Sequence, residues 1–370
     1  MDFDLPPELQ ALRDEALEVG RAAAATSSLT EDTWIAAPDR EFSIELGKRG
    51  WLGMTWPAEK GGGGKSPLER FVVFEALIGT GAPLATSWFA DRQMGPTLLQ
   101  FGSEAQQAEH LPKILDGTSA WSIGMSEPDA GSDVASIRTR AVRDGDEFVI
   151  NGQKIWNSGA KSADFIYLIV RTDPDAPPHK GLSELIVPMA SPGITIVPIT
   201  DMTGSDHFCE VYFEDVRVPV DSLVGELNGS FGQVMRQMEH ERGGIDRLLS
   251  NRKLYEDVLT VADTTDPRVR QEIAAIETGY RIGRHLVLRE VLGQAPKGFS
   301  AVTKTFCTEL EQRIADFCAA VLGPHATLAG PELGGRVSRN VAYAPAYTIM
   351  GGTTQILRNI IGDRILGLPR

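Results

Sequence analysis

From Pro7 to about Gly117 the apolar residues recur three and four apart, as in Leu9, Leu12, Ala16 and Val19 and again in Phe71, Val72, Phe74 and Leu77. That spacing lines one face of a helix. It predicts a helical domain over residues 1–118, punctuated by Trp56-Pro57, the glycine run 61–64 and Gly81-Ala82-Pro83, and stopped at Asp116-Gly117. Beyond Trp121 the pattern shortens into β-branched and aromatic runs at 147–150, 165–170, 185–188, 194–197 and 210–213, separated by Asp, Gly and Pro. These predict a β domain over 119–228, a small sheet or barrel with tight turns at Asp144-Gly145 and Asn151-Gly152. After Gly229 the helical period returns through 231–259, 267–292, 300–322 and 352–365, for which a four-helix bundle over 229–370 is the simplest packing. The expected fold is thus α+β and multidomain: N-terminal helices, a middle β domain and a C-terminal bundle.

Composition narrows the function classes. With 370 residues and 42% hydrophobic content, the chain has the make-up of a globular protein with several cores rather than of a disordered one. No run approaches the ~20 apolar residues of a membrane span. The first ten residues carry acids and prolines where a secretory signal needs a basic and then an apolar stretch, so a cytoplasmic protein is expected. A net charge of −14 argues against nucleic acid or an anionic membrane as partner. Cys209, Cys307 and Cys318 are scattered, and no His, Cys and carboxylate set has metal-ligand spacing, so neither disulfides nor a metal site are expected. Gly64-Lys65-Ser66 imitates a phosphate-binding loop, but the first glycine of that motif is replaced by Glu59, and an interhelical loop is the better reading.

Two blocks carry candidate chemistry. Trp121-Ser122-Ile123-Gly124-Met125-Ser126-Glu127-Pro128-Asp129-Ala130-Gly131-Ser132-Asp133 sets hydroxyls beside glycines, which lets N–H and O–H groups approach a polar ligand edge, although a plain hairpin loop fits as well. Asn151-Gly152-Gln153-Lys154-Ile155-Trp156-Asn157-Ser158-Gly159-Ala160 follows, and taken alone Trp156 reads as a core aromatic. Together with Phe213-Glu214-Asp215-Val216-Arg217-Val218-Pro219, Glu241-Arg242 and Gly352-Thr353-Thr354-Gln355-Ile356-Leu357-Arg358, these blocks resemble the acyl-CoA dehydrogenase family, in the right order and over nearly the whole chain.

The resemblance implies an FAD held by the β domain against the bundle, and an acyl-CoA substrate dehydrogenated across its α and β carbons to the trans-2-enoyl-CoA. It places Met125 and Ser126 at the polar edge of the flavin, Ser132 near the pyrophosphate and the pantetheine arm, Trp156 against the ring, Ser158 at the N5 region, and Thr353 and Gln355 among the C-terminal flavin contacts. It further implies an oligomer, homo- or heteromeric and built as a dimer of dimers, that passes electrons to electron-transferring flavoprotein or a similar acceptor.

Such chemistry needs a carboxylate over the α-carbon and donors for the thioester oxygen. Many relatives carry the Glu directly before the Gly-Thr of the last motif, where this chain has Gly351 followed by Gly352. Branches similar to the isovaleryl, long-chain and bacterial sterol side-chain types place it on an earlier bundle helix, immediately before an Arg, which matches Glu241. Glu241 is therefore the expected base, with Glu239 a weaker candidate. The Gly351 backbone N–H and a flavin ribityl hydroxyl are the expected holders of the thioester oxygen, Gly352 lines room for the acyl group, and Arg242 supports the base or the thioester end or else forms a structural ion pair. The Arg-x-x-Phe-Gly segment by which relatives reach the partner's FAD is absent from 260–270, leaving Arg268 or Arg270 as substitutes. The alternative reading is a noncatalytic or half-site subunit of a heteromeric dehydrogenase. An acyl-CoA oxidase is disfavoured by the short chain.

Overall fold

A computed structural model describes residues 5–28, 31–234 and 244–369. The chain divides into two compact units, one formed by Met1–Ala37, Lys65–Pro83 and Glu239–Arg370, the other by Pro38–Gly64 and Leu84–Met238. The helices of residues 1–118 are shared between them.

The second unit is built on a sheet of eight strands: β1 (Trp121–Gly124), β2 (Arg140–Asp144), β3 (Glu147–Lys154), β4 (Phe165–Arg171), β5 (Leu182–Pro188), β6 (Ile194–Ile199), β7 (Phe208–Pro219) and β8 (Leu223–Val224). Their order is β6-β7-β3-β2-β4-β5-β8, with β1 parallel to β4. β4 is apolar without alternation because both of its faces are covered. Ile166, Leu168 and Val170 join Phe148, Ile150, Val187 and Val211 in the core of the sheet. Tyr167, on the opposite face, packs with Met94, Leu98, Leu111 and Ile114 of the flanking helices Gly95–Phe101 and Glu104–Leu115 and the turn before them.

Asp144-Gly145 makes the expected hairpin, with Gly145 at φ +63°. Asn151-Gly152 does not turn. Both residues lie inside β3, where Ile150 faces Val216 but Gly152 already faces Phe213, so β7 carries one extra residue. Asp215 sits in that bulge at φ +49°, and Asn151 occupies itself there: its Oδ1 accepts the Asp215 N–H at 3.0 Å and its Nδ2 donates to the Asp215 carboxylate at 3.0 Å. The Asn side chain that would have closed a turn is spent on the neighbouring strand. Gly152 passes so near Thr139 that a Cβ would lie 2.6 Å from its hydroxyl oxygen.

The first unit is helical. Ser66, in the loop that imitates a phosphate-binding motif, caps the helix Pro67–Gly79: its hydroxyl accepts the Glu69 N–H at 3.2 Å, and the Glu69 carboxylate accepts the Ser66 N–H at 2.8 Å. Ser300–Leu322 is the central helix, packed by Pro267–Val291 and by Leu333–Tyr343, an element the sequence reading missed. Of the expected helix 231–259, residues 231–234 are helical, and the described part after 243 is broken at Ser250-Asn251 into Asp246–Leu249 and Arg252–Leu259, because the Asn251 N–H leaves the helical ladder and donates to the Glu311 carboxylate at 3.1 Å. No described helix is long and apolar enough to cross a membrane.

Gly117 ends the helix Glu104–Leu115 at φ +71°, and a Cβ there would lie 2.0 Å from the Ser43 carbonyl oxygen. Gly145, at φ +63°, has open space around it. Gly117→Ala is expected to cost about 2–4 kcal/mol in urea unfolding, the sum of left-handed strain and a backbone collision, against about 1 kcal/mol for Gly145→Ala. Equal losses would contradict the assignment of Gly117 to close packing.

Candidate active site

In the β unit the two motif blocks lie side by side. The Ile155 N–H donates to the Ser126 carbonyl at 2.9 Å, Asn157 Nδ2 to the Ile123 carbonyl at 2.8 Å, and Ser122 Oγ to the Ser158 carbonyl at 3.0 Å. Beneath them a buried ion pair joins the blocks: Lys154 Nζ meets Glu127 Oε1 at 2.9 Å and the Met125 carbonyl at 3.1 Å. The same Glu127 carboxylate accepts the N–H groups of Arg138 at 2.6 Å and Thr139 at 2.8 Å. Burial acts to raise the Glu127 carboxyl, but the Lys154 ammonium and the donated hydrogen bonds outweigh it and hold the group below the usual range. The Lys154 ammonium is pulled down to about 8 by burial, against the attraction of Glu127.

This framework brings Met125, Ser126, Trp156 and Ser158 together. Met125 is half-buried, and the hydroxyls of Ser126 and Ser158 make no hydrogen bond among the described residues. Trp156 is not a core aromatic. It is 54% exposed, at φ +63°, with its ring edge-on to Phe208 at 5.7 Å. A non-glycine residue in that region costs of order 1–3 kcal/mol. The strain is enforced from both sides, by the Ile155 bond to Ser126 and by the Asn157 N–H donating to the Cys209 carbonyl at 3.0 Å. An indole held outward beside two unengaged hydroxyls suits a flat ring with a polar edge, so these residues fit a flavin. Ser132 stands apart from the cluster, exposed in the loop after β1.

The helical unit carries the other motif. Gly351 and Gly352 take φ of +66° and +100°, and Thr353 caps the helix Thr354–Ile360, its hydroxyl accepting the Ile356 N–H at 3.3 Å. Gln355 is exposed on the first turn of that helix. The preceding turn Ala344–Thr348 is tied into a buried polar network that the sequence reading did not foresee. Tyr347 OH donates to Asp32 Oδ1 at 2.7 Å and lies 3.0 Å from Asn251 Oδ1, Asn340 Nδ2 donates to Tyr347 OH at 3.2 Å, and Lys304 Nζ donates to the Tyr347 carbonyl at 3.2 Å. Burial first, and Asp32 second, push the Glu311 carboxyl well above its ordinary value, which favours its protonated form. Gln312 Nε2 reaches Thr348 Oγ1 at 3.0 Å and Thr354 Oγ1 reaches the Thr348 carbonyl at 3.3 Å, so the segments on both sides of the glycine pair are anchored. Glu241, Arg242 and Glu239 lie outside the described residues. Arg268 is engaged by its own helix cap, Asp266, at 2.9 Å, and Arg270 Nη1 donates to the Thr265 carbonyl at 3.1 Å.

Comparison with known proteins places the whole chain in one family. The N-terminal, middle and C-terminal domain families of acyl-CoA dehydrogenase match residues 6–118, 122–216 and 231–366. The chain belongs to the acyl-CoA dehydrogenase family. It is 36% identical over 356 residues to acyl-CoA dehydrogenase IpdE1 of Mycobacterium tuberculosis, covering 91% of this chain and 92% of that one. Among solved structures, the Tcur3481-Tcur3483 steroid ACAD superposes with a TM-score of 0.87 at 33% identity, covering 100% of both chains. The ChsE4-ChsE5 complex from Mycobacterium tuberculosis gives 0.87 at 32% with the same coverage. The architecture of the family, N-terminal helices, a middle β sheet and C-terminal helices, is the one described above, and the chain is an oxidoreductase of that family.

Glu127 and Lys154 were quoted in the motifs without a role. A signal was available, since alternation along β3 puts Lys154 on the same face as Phe148 and Ile150, where a cation requires a buried partner. Glu127→Gln strands that cation and is expected to cost about 3–5 kcal/mol at pH 7 in urea unfolding, while the double variant with Lys154→Met costs less than the Gln change alone. A double variant that loses as much as the sum of the single ones would refute a coupled pair. Because Lys154 titrates near 8 when folded and at 10.5 in the open chain, the unfolded state binds more protons between those values. Over that window wild-type stability should rise relative to the double variant. The share due to Glu127 is complete above its ordinary 4.5 and is lost as pH falls through the depressed folded value.

Proposed function

We propose that the chain is an FAD-dependent acyl-CoA dehydrogenase whose catalytic base is Glu241. The observation that carries this reading is the cluster of Met125, Ser126, Trp156 and Ser158 on one edge of the β unit, with an outward indole held at a costly backbone angle. Trp156 packs against the flavin ring, Ser126 and Ser158 bond its polar edge, Ser132 serves the pyrophosphate and the pantetheine arm, and Thr353 and Gln355 complete the contacts. Once bound, the flavin supplies the acceptor for the β-hydrogen as hydride.

The protein's own part is to make the α-proton removable and to receive it. The Gly351 N–H donates to the thioester oxygen, which draws charge away from the α-carbon as the C–H bond breaks. The Glu241 carboxylate takes that proton, and Arg242 supports the base or the thioester end. Exclusion of water raises the pKa of a carboxylate and so suits it to accept a proton and later release it. The left-handed angles at 351 and 352 favour glycine, so the turn supports the main-chain role and leaves the base to be supplied from elsewhere. The absence of side chains at Gly351 and Gly352 leaves room for a bulky acyl group, in keeping with a neighbour described as a steroid ACAD. Electrons leave to electron-transferring flavoprotein or a similar acceptor.

A second reading, a subunit that completes its site only within a heteromer, is favoured by the engagement of Arg268 and Arg270 within their own segment and by neighbours described as paired chains. Purification of the chain alone separates the two: a yellow protein bleached anaerobically by acyl-CoA supports the first, a colourless one that takes up flavin only with a second subunit supports the other. Under the first reading Glu241→Gln keeps the colour and loses roughly 10²–10⁴-fold in turnover. Trp156→Ala should release flavin on gel filtration. Full turnover in the Gln variant, or full retention in the Ala variant, would remove the corresponding assignment.

A further inference from the structure

The helical unit holds a concave pocket of about 570 Å³, lined by none of the flavin-motif residues, between the helices Pro7–Ala24, Pro67–Gly79, Arg252–Leu259 and Pro267–Val291. Its volume falls within the roughly 300–1,000 Å³ of small-molecule sites. In a chain of net charge −14 its walls are strongly basic: among the described residues, Arg13, Arg21, Arg252, Lys253, Arg281 and Arg284 line it against Glu75 and Glu256.

Half of that charge is already matched. Arg284 forms a two-pronged pair with Glu75 at 2.5 and 3.0 Å, Arg252 meets Glu256 at 2.8 Å and Glu277 at 3.0 Å, and Lys253 meets Asp257. Arg13, Arg21 and Arg281 make no side-chain hydrogen bond or ion pair among the described residues. Gln10, Arg13, Leu17 and Arg21 follow one another at spacings of three and four, so one face of the first helix presents two guanidinium groups with an apolar residue between them. Arg281 faces the pocket from the helix Pro267–Val291. Leu17, Leu248 and Leu249 supply apolar wall, beside the buried Tyr280 ring, over which Arg252 lies at 4.7 Å.

We infer that this pocket is an anion site for a nucleoside diphosphate, the adenosine diphosphate type of group, separate from the residues assigned to the flavin. A single carboxylate would engage one guanidinium. Three guanidinium groups on two helices, unmatched among the described residues, call for a ligand with several anionic oxygens, and guanidinium forks bind phosphate oxygens in pairs. The apolar wall beside them suits a base and sugar rather than bare phosphate, and the volume matches a small molecule rather than an acidic segment of another protein.

The test is calorimetric titration of the flavin-loaded protein with ADP, with inorganic phosphate and with an oligoglutamate peptide, in wild type and in Arg13→Gln/Arg281→Gln. The expected result is saturable ADP binding, weakened at least about tenfold in the double variant and by raised salt, with phosphate binding more weakly than ADP. Arg21→Gln, on the exposed rim, gives a second variant of the same direction. Melting temperature and bleaching by acyl-CoA stay at wild-type values in these variants, so loss of ADP binding is distinguishable from misfolding and from failure of the dehydrogenase reading. Absence of saturable ADP binding, ADP binding unchanged in the double variant, or oligoglutamate binding more tightly than ADP would each overturn the assignment.

Discussion

The cluster of motif residues in the β unit depends on one buried charge pair. Lys154 lies at the end of a strand whose inward positions are otherwise apolar, and it can be buried there only because Glu127 meets it from the other motif block. That requirement fixes the distance between the two blocks. Once it is fixed, the backbone bonds from Ile155 to Ser126 and from Asn157 to Cys209 follow, and together they force Trp156 into a left-handed conformation with its ring outward. A pair that contributes little net stability to a protein can still set the position of everything bonded around it.

The helical unit solves a similar problem with uncharged partners. The Gly351-Gly352 turn has no side chains of its own, and its positive angles call for glycine. Its anchors are the turn Ala344–Thr348 on one side and the helix capped by Thr353 on the other. The first of these is fixed by Tyr347, whose hydroxyl and carbonyl are both engaged, by Asp32 and Asn340 at one end and by Lys304 at the other. A buried carboxyl inclined to stay protonated, Glu311, accepts the Asn251 N–H beside this network. Placement of the main chain is thereby delegated to residues far from it in sequence.

Much of this was legible in advance, and the failures have physical causes. The change of period at residue 121, the long buried run of β4 and the ordered motifs led to the fold class and the family. Asn151-Gly152 misled because an Asn side chain serves a neighbouring bulge as readily as its own turn, and only the pairing of β3 with β7 decides between them. Trp156 read alone as core because exposure follows from a backbone angle imposed by distant partners. Leu333–Tyr343 was passed over because Gly334-Gly335 weakens its helical signal, yet Gly335 is required where a Cβ would lie 2.1 Å from the Gly330 carbonyl oxygen. The Tyr347 network joins residues as far apart as 32 and 347, a separation over which local pattern carries no information.

The central claim is that the proton leaves the α-carbon to Glu241 rather than to a carboxylate in the last motif. Exchange of the α-hydrogen of a bound acyl-CoA with deuterium oxide, followed by mass spectrometry with the purified flavin-loaded enzyme, measures that transfer apart from later electron flow. The account predicts exchange in the wild type and in Glu239→Gln, and none above background in Glu241→Gln. Undiminished exchange in the Glu241 variant would contradict it.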